Sequence, residues 1–274
     1  MHKLIIFFAF ICTFSSSSYA DNKVVEKKET ITIVADTWCP YNCNPKSPHT
    51  GFMVDIAKQV FAKHSIDVVY SIVPWDRAIA ETRKGLHTAI IGAAHGDAPD
   101  FIFPDTPQGF LQNHFYVKKD SKWRFGGINS LKDIILGTIA DYSYNVELDA
   151  YIKKYKLDPK RIAMMAGDNA LGINLSKLKR DKIDATIEAK YVMDYYVSQN
   201  NMRGEIEDAG TLPPSKEDFL YIAFSPNDKK LARKYAAILA KETKNMRANG
   251  ELKKILDIYG LEDWEKSPDK PKEK

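Results

Sequence analysis

The side chains best suited to chemistry fall in short groups, and most are aromatic or acidic. Trp38 and Tyr41 flank Pro40, with Cys39 and Cys43 interleaved. An indole or phenol in a loop can stack on a planar group or cover a cation. Tyr41 is expected to touch a ligand, because a buried hydroxyl needs a partner. Trp38 either lines the same site or packs beneath its loop. Trp75 and Arg77 follow Pro74 at the start of a helical pattern. A guanidinium beside free helix N–H groups could clamp an anion there. Arg77 reads equally as a structural side chain paired with Asp76 or Glu81. Gly92, Ala94, His95 and Asp97 form a loop of small residues with one imidazole and one carboxylate. Neutral imidazole can donate or accept, and its protonation would tune binding at about pH 6 to 7. An exposed loop pair is the alternative reading.

Ser143, Tyr144 and Asn145 open a further helical pattern. A hydroxyl or amide in that position caps the helix N–H groups, or shares them with an anionic ligand group. Asn169 stands in the same relation to the next helix. Glu188 closes an apolar run and is the candidate counter-charge for a ligand cation, with a solvated carboxylate as the alternative. These groups form no persuasive catalytic set. There is no glycine-rich phosphate loop and no nucleophile motif. No cofactor is expected. Cys39 and Cys43 suit a local disulfide in an oxidising compartment. A metal site with His49 as third ligand lacks a second pair of ligands, and two free thiols are a further alternative.

The elements that must hold these groups follow from hydrophobic periodicity. Strands are expected at 31–35, 68–73 and 88–94, alternating with helices at 51–63 and 75–84. Two more strands are expected at 101–103 and 115–118. The rhythm then restarts, with strands at 134–139, 161–165 and 183–188 and helices at 145–155, 169–180 and 191–198. A strand at 219–224 and a helical stretch over 228–259, broken at Asn249 and Gly250, complete the pattern. Repeated β-α-β alternation implies parallel sheets covered by helices. Two such α/β lobes suit a cleft between them, with ligand held beyond the carboxyl ends of the strands. Each group above follows or closes a strand or opens a helix.

Composition sets the outer limits. The 274 residues include 40 Lys and Arg against 36 Asp and Glu, a formal charge of +4. The excess is scattered rather than striped, which weighs against a nucleic-acid partner. Three cysteines are too few for a disulfide scaffold. Residues 1–20 read as a secretory signal peptide: Lys3, an apolar run over 4–14, then Ser18 and Ala20. Phe10 and Ile11 before Cys12 argue against a lipid anchor. A soluble periplasmic protein is therefore expected.

The order of segments also carries a resemblance. Trp38-Cys39-Pro40-Tyr41, Gly51-Phe52-Met53-Val54-Asp55-Ile56 and Pro74-Trp75-Asp76-Arg77-Ala78 are followed by the 85–92 stretch, Phe103-Pro104-Asp105-Thr106-Pro107, Leu131-Lys132-Asp133 and Ile183-Asp184-Ala185. In this order they resemble family 3 periplasmic solute-binding proteins, the type II receptors of amino-acid ABC transporters. The resemblance implies two Rossmann-like lobes with a central cleft and hinge. Lobe 1 would be discontinuous, 29–118 plus 222–262, lobe 2 would be 119–221, and 263–274 a disordered tail. It also implies a monomer that captures a small polar or amino-acid-like ligand and presents it to an inner-membrane ABC permease or a sensor. The alternative is an exported enzyme on the same scaffold, resembling cyclohexadienyl dehydratase, with Glu188, His95 or Asp97 moving a proton. Two departures stand out. The loop over 94–100 lacks the Arg with which amino-acid binders clamp a carboxylate, and Ala189 stands where they carry an ammonium-binding Asp.

Overall fold

The computed structural model describes residues 28–140, 142–167 and 169–267. The expected signal segment and the last seven residues of the expected tail lie outside the described residues.

The β-branched run Ile31-Thr32-Ile33-Val34 forms β1 (Glu29–Ala35), which pairs in parallel with β2 (Ile66–Ile72) along its whole length. Between them runs α1 (Phe52–Ala62), whose Phe52, Met53, Ile56, Val60 and Phe61 are buried. This face lies in one apolar cluster with Ile31, Ile33 and Tyr70 of the sheet. α2 (Trp75–Arg83) leads to β3 (Ala89–Ala93), parallel to β1 on its other side. The short β4 (Gly109–Phe110) and the later β10 (Phe219–Phe224) complete a sheet ordered β2-β1-β3-β10-β4.

The second sheet uses β5 (Asn113–Lys118), β6 (Leu136–Ile139), β7 (Ile162–Met165), β8 (Ala185–Ala189) and β9 (Ile206–Thr211), ordered β7-β6-β8-β5-β9. Helices α3 (Val146–Tyr155), α4 (Ala170–Lys179) and α5 (Lys190–Gln199) intervene. It has its own core, with Phe115, Leu136, Leu148 and Ile187 at the centre. The chain returns to the first lobe through β10, then α6 (Lys229–Asn249) and α7 (Glu251–Ile258). Gly250 separates these helices with φ 83°, a left-handed conformation that glycine adopts without steric cost.

The discontinuous, two-lobed α/β architecture is present, with its boundaries moved. Residues 113–118 pair with β8 and β9 and belong to the second lobe, not the first. Residues 219–221 pair with β3 and β4 and belong to the first. The strand expected at 101–103 reduces to one bridge, Ile102 to Phe224. β4 and β9 have no clear sequence signal: one is two residues long, and the other reads Ile-Glu-Asp-Ala-Gly-Thr, largely polar because only Ala209 is fully covered. Residues 263–267 are not a loose tail. Trp264 is buried in the first core, and Arg247 binds Asp263 through Nε and Nη2 (2.8 and 3.2 Å) while lying 4.9 Å from the Trp264 ring.

Candidate ligand-binding cleft

In both lobes the carboxyl ends of the parallel strands carry the loops that bear polar and aromatic groups. In the first lobe these loops follow β1, β2 and β3. In the second they follow β6, β7 and β8.

The loop after β1 is the most constrained. Trp38 and Asn42 exchange backbone hydrogen bonds (2.8 and 3.0 Å), and the Cys39–Cys43 disulfide closes the same turn. The loop lies on the start of α1: a Cβ at Gly51 would sit 2.5 Å from Asn42 Cα and the Tyr41 carbonyl, so only glycine fits there, at φ 108°. The Asn42 side chain donates to the Asp36 carbonyl (2.6 Å). Its Oδ1 is buried without a partner and lies 3.5 Å from where a Gly92 side chain would begin. Gly92 has φ 84°, and a Cβ there would also press on the Trp38 ring at 3.7 Å.

Tyr41 corrects the expectation of ligand contact. It is fully buried, its ring stacks beneath Trp38 at 4.3 Å, and its hydroxyl donates to the Phe110 carbonyl (2.8 Å). The hydroxyl has the partner it needs inside the protein, so Tyr41 supports Trp38. Arg77 resolves to the structural reading: it is exposed, and its Nε donates to Glu81 (2.9 Å) one helical turn away. Trp75 is half-buried against the Val34, Val73 and Phe101 cluster. Ala94 donates its N–H to Asp97 Oδ2 (2.8 Å), which closes the loop after β3. The exposed His95 ring packs 4.1 Å from Phe103 and 4.8 Å from Tyr221.

In the second lobe the start of α3 is partly capped from within. Asn145 Oδ1 accepts from the Leu148 N–H (2.8 Å), as an N-cap should. Asp149 accepts from the Ser143 hydroxyl (2.6 Å) and from the Tyr144 N–H (3.0 Å). Tyr144 is buried, and its hydroxyl accepts from the Ile139 N–H (3.0 Å). Asn169 precedes α4, but its side chain makes no capping bond, contrary to expectation.

Glu188 ends β8 and is only 2% exposed. Its Oε1 accepts from the Ala189 N–H (2.8 Å), and Oε2 has no partner among the described residues. Burial pushes its carboxyl up to about 7. The solvated-carboxylate reading of Glu188 therefore does not hold. Asp36 and Tyr142 fall in the post-strand segments 36–41 and 140–145 that the sequence marks, whereas Asn42 and Tyr70 are not singled out by it. Partial desolvation raises Asp36 in the same direction, although the residue is exposed. Tyr142, 43% exposed in the loop after β6, feels the charge of both Glu188 on its own lobe and Asp36 on the other. The signal for Asp36 and Tyr142 is an acid or aromatic close after a strand; Asn42 and Tyr70 carry none.

Contacts across the lobes continue behind Tyr41, whose ring lies 5.9 Å from Tyr191 at the start of α5. The Tyr191 hydroxyl donates to the Glu262 carbonyl (2.6 Å). Beside it, a cavity of about 290 Å³ is lined by Tyr41, Phe110, Gln112, Lys190, Tyr191 and Asp194, where the loop after β1 meets the start of α5 near the passage between lobes. Among the described residues no group of three or more His, Cys, Asp or Glu could hold a metal ion. None of their helices is long and apolar enough to cross a membrane.

Comparison with known proteins accords with this architecture. An ancestral arginine-binding protein bound to arginine superposes with a TM-score of 0.63 at 19% identity, over 85% of this chain and 99% of that one. A structure from work on glutathione import via GshT and the cystine ABC importer TcyBC of Streptococcus mutans gives 0.65 at 18%, over 85% and 95%. A histidine kinase sensor domain with similarity to periplasmic binding proteins gives 0.63 at 15%, over 85% and 96%. Among curated proteins no sequence matches. The family model for bacterial extracellular solute-binding proteins, family 3, matches residues 31–262, from the first strand of one lobe through the other and back. That match runs along both sheets, and the chain belongs to this family.

Proposed function

We propose that the protein captures a small polar solute between its lobes in the periplasm and presents the closed complex to a membrane partner, without turning the solute over. The observation that carries this reading is the pair of sheets, each bearing polar and aromatic groups on the loops at the carboxyl ends of its parallel strands, along a chain that the solute-binding family matches over residues 31–262. A solute seated there would touch both lobes and favour the closed arrangement by its extra contacts. The partner proposed is an ABC permease or a sensor kinase; supporting it, the solved neighbours include substrate-binding domains of ABC transporters and a histidine kinase sensor domain. Calorimetric titration of the purified protein with a panel of small metabolites tests the reading. One-to-one saturable binding, with a smaller radius of gyration by solution scattering, is expected. A panel with no saturable binder, or product release from a bound compound, overturns it.

A further inference from the structure

The cavity beside Tyr191 goes beyond the solute-binding reading, because its walls come from three parts of the chain. Tyr41 and Phe110 belong to the first lobe, Lys190, Tyr191 and Asp194 to the second, and Gln112 to a passage between them. Residues 260–263, which follow α7, close another side. Its volume of about 290 Å³ is near the lower limit of small-molecule pockets, roughly 300 Å³, so an occupant is the size of a single ring.

Gln112 is only 8% exposed, yet its side-chain amide is idle. Its Nε2 is enclosed with no acceptor, and its Oε1 receives no donor among the described residues. Its backbone carbonyl is engaged, by the Lys190 N–H (2.8 Å). A buried amide without partners carries a cost that a ligand removes by bonding both ends. The charges around the cavity are paired among themselves. Lys190 donates to Asp194 (2.6 Å), and Arg247 holds Asp263 (2.8 Å). Glu262 is exposed, where solvent and salt screen its carboxylate. The site therefore calls for no net charge. Its rings are committed in the same way. Tyr41 and Tyr191 lie 5.9 Å apart, and their hydroxyls donate to the carbonyls of Phe110 and Glu262. What they offer an occupant is ring surface, which suits a flat apolar body.

We infer that this cavity is a second binding site, for a small neutral planar compound with a carboxamide or lactam edge. The edge pairs with the Gln112 amide, donor to acceptor and acceptor to donor, and the ring lies against Tyr41, Tyr191 and Phe110. A carboxylate has no N–H for Gln112 Oε1, and an ammonium compound has no acceptor for Nε2. The occupant touches both lobes and a passage between them, so its binding is linked to their relative position.

The test is calorimetric titration of the full chain at neutral pH with benzamide, benzoate and benzylamine, with a crystal structure of the same chain in benzamide. Benzamide should saturate, at least about fivefold more tightly than either charged analogue. Gln112→Met keeps the length of the side chain and removes both polar ends. It should weaken benzamide about 5- to 50-fold with unchanged circular dichroism. The crystal of the unaltered protein should show the carboxamide on Gln112 and the ring beside Tyr191, and it depends on no variant folding. Tighter binding of benzoate or benzylamine, unchanged affinity in Gln112→Met, or benzamide seated elsewhere overturns the inference. So does a lack of saturation in solution, with binding at crystal concentration only. Each of these results leaves the solute-binding reading standing, since the metabolite titration tests that separately.

Discussion

Glu188 combines a cost to the fold with a use in the cleft. Its carboxyl is raised from 4.5 to about 7 by burial, so between those values the folded protein keeps a proton that the unfolded chain has lost. Stability therefore falls as pH rises through that window, by about 3 kcal/mol in full. Asp36 and Asp97, also raised by burial, act with the same sign from lower pH. Glu188 acts electrostatically on Tyr41, Tyr116, Tyr142 and Tyr144, and His114 on β5 is its cross-strand neighbour. Urea melts of the ligand-free protein at pH 5 and pH 8 should show this loss, and Glu188→Gln should remove most of it. The variant should then be the more stable protein at pH 8 while binding ligand more weakly. An equal pH slope in the variant would show that another group is responsible. Tyr41→Phe makes the opposite kind of prediction. It leaves the buried Phe110 carbonyl without its donor and should cost about 1–2 kcal/mol in the same melts. A neutral result would mean that the hydroxyl is not committed to the core. The sequence shows that an aromatic pair follows β1 and that Glu188 closes β8. It does not show which ring of the pair faces outward, because Trp38 and Tyr41 exchange roles with the twist of one tight turn.

At the scale of elements, legibility follows burial. β1, β3, β6 and β8 are largely buried, so 31–35, 88–94, 134–139 and 183–188 read as short apolar runs that overlap them to within about two residues at each end. β9 is an edge strand with a glycine at φ 116°, and its residues carry no such run. The assignment of β5 and β10 to lobes was equally illegible. Each begins within a few residues of a passage between lobes, and pairing partners far along the chain decide on which side it falls. The C-terminal segment is the sharpest case. Charge in 265–274 suggested a free tail, yet Trp264 fills a place in the first core beside Phe52 at 6.2 Å, under Arg247. Trp264→Ala should therefore cost about 3–5 kcal/mol in thermal or chemical unfolding, as the loss of a fully buried large aromatic does. A change below about 1 kcal/mol would return this segment to the status of a tail. Tyr259 ties the same region to the cleft side of the lobe. Its hydroxyl accepts from the Gly51 N–H (2.8 Å) and donates to Asp55 (2.6 Å), where the loop carrying Trp38 meets α1.

For the whole molecule, the two sheets are separate packing units joined by short passages at 111–112 and 212–218, and a ligand that touches both lobes has leverage over their relative position. The alternation of strands and helices was enough to read two lobes and a cleft, and the ordered motifs were enough to read the family. The chemistry of the cleft was less legible, because it lies in what each charged side chain is already bonded to. Arg77 and Asp149 are visible in the sequence, but their engagement with Glu81 and with the start of α3 is not. The most direct measurement is a crystal structure of the full chain grown with the tightest-binding compound of the panel. The account predicts that compound between the lobes, in contact with the loops at the carboxyl ends of the strands of both sheets. Density instead in the hinge cavity beside Gln112 and Tyr191, with the strand-end loops empty, would contradict it.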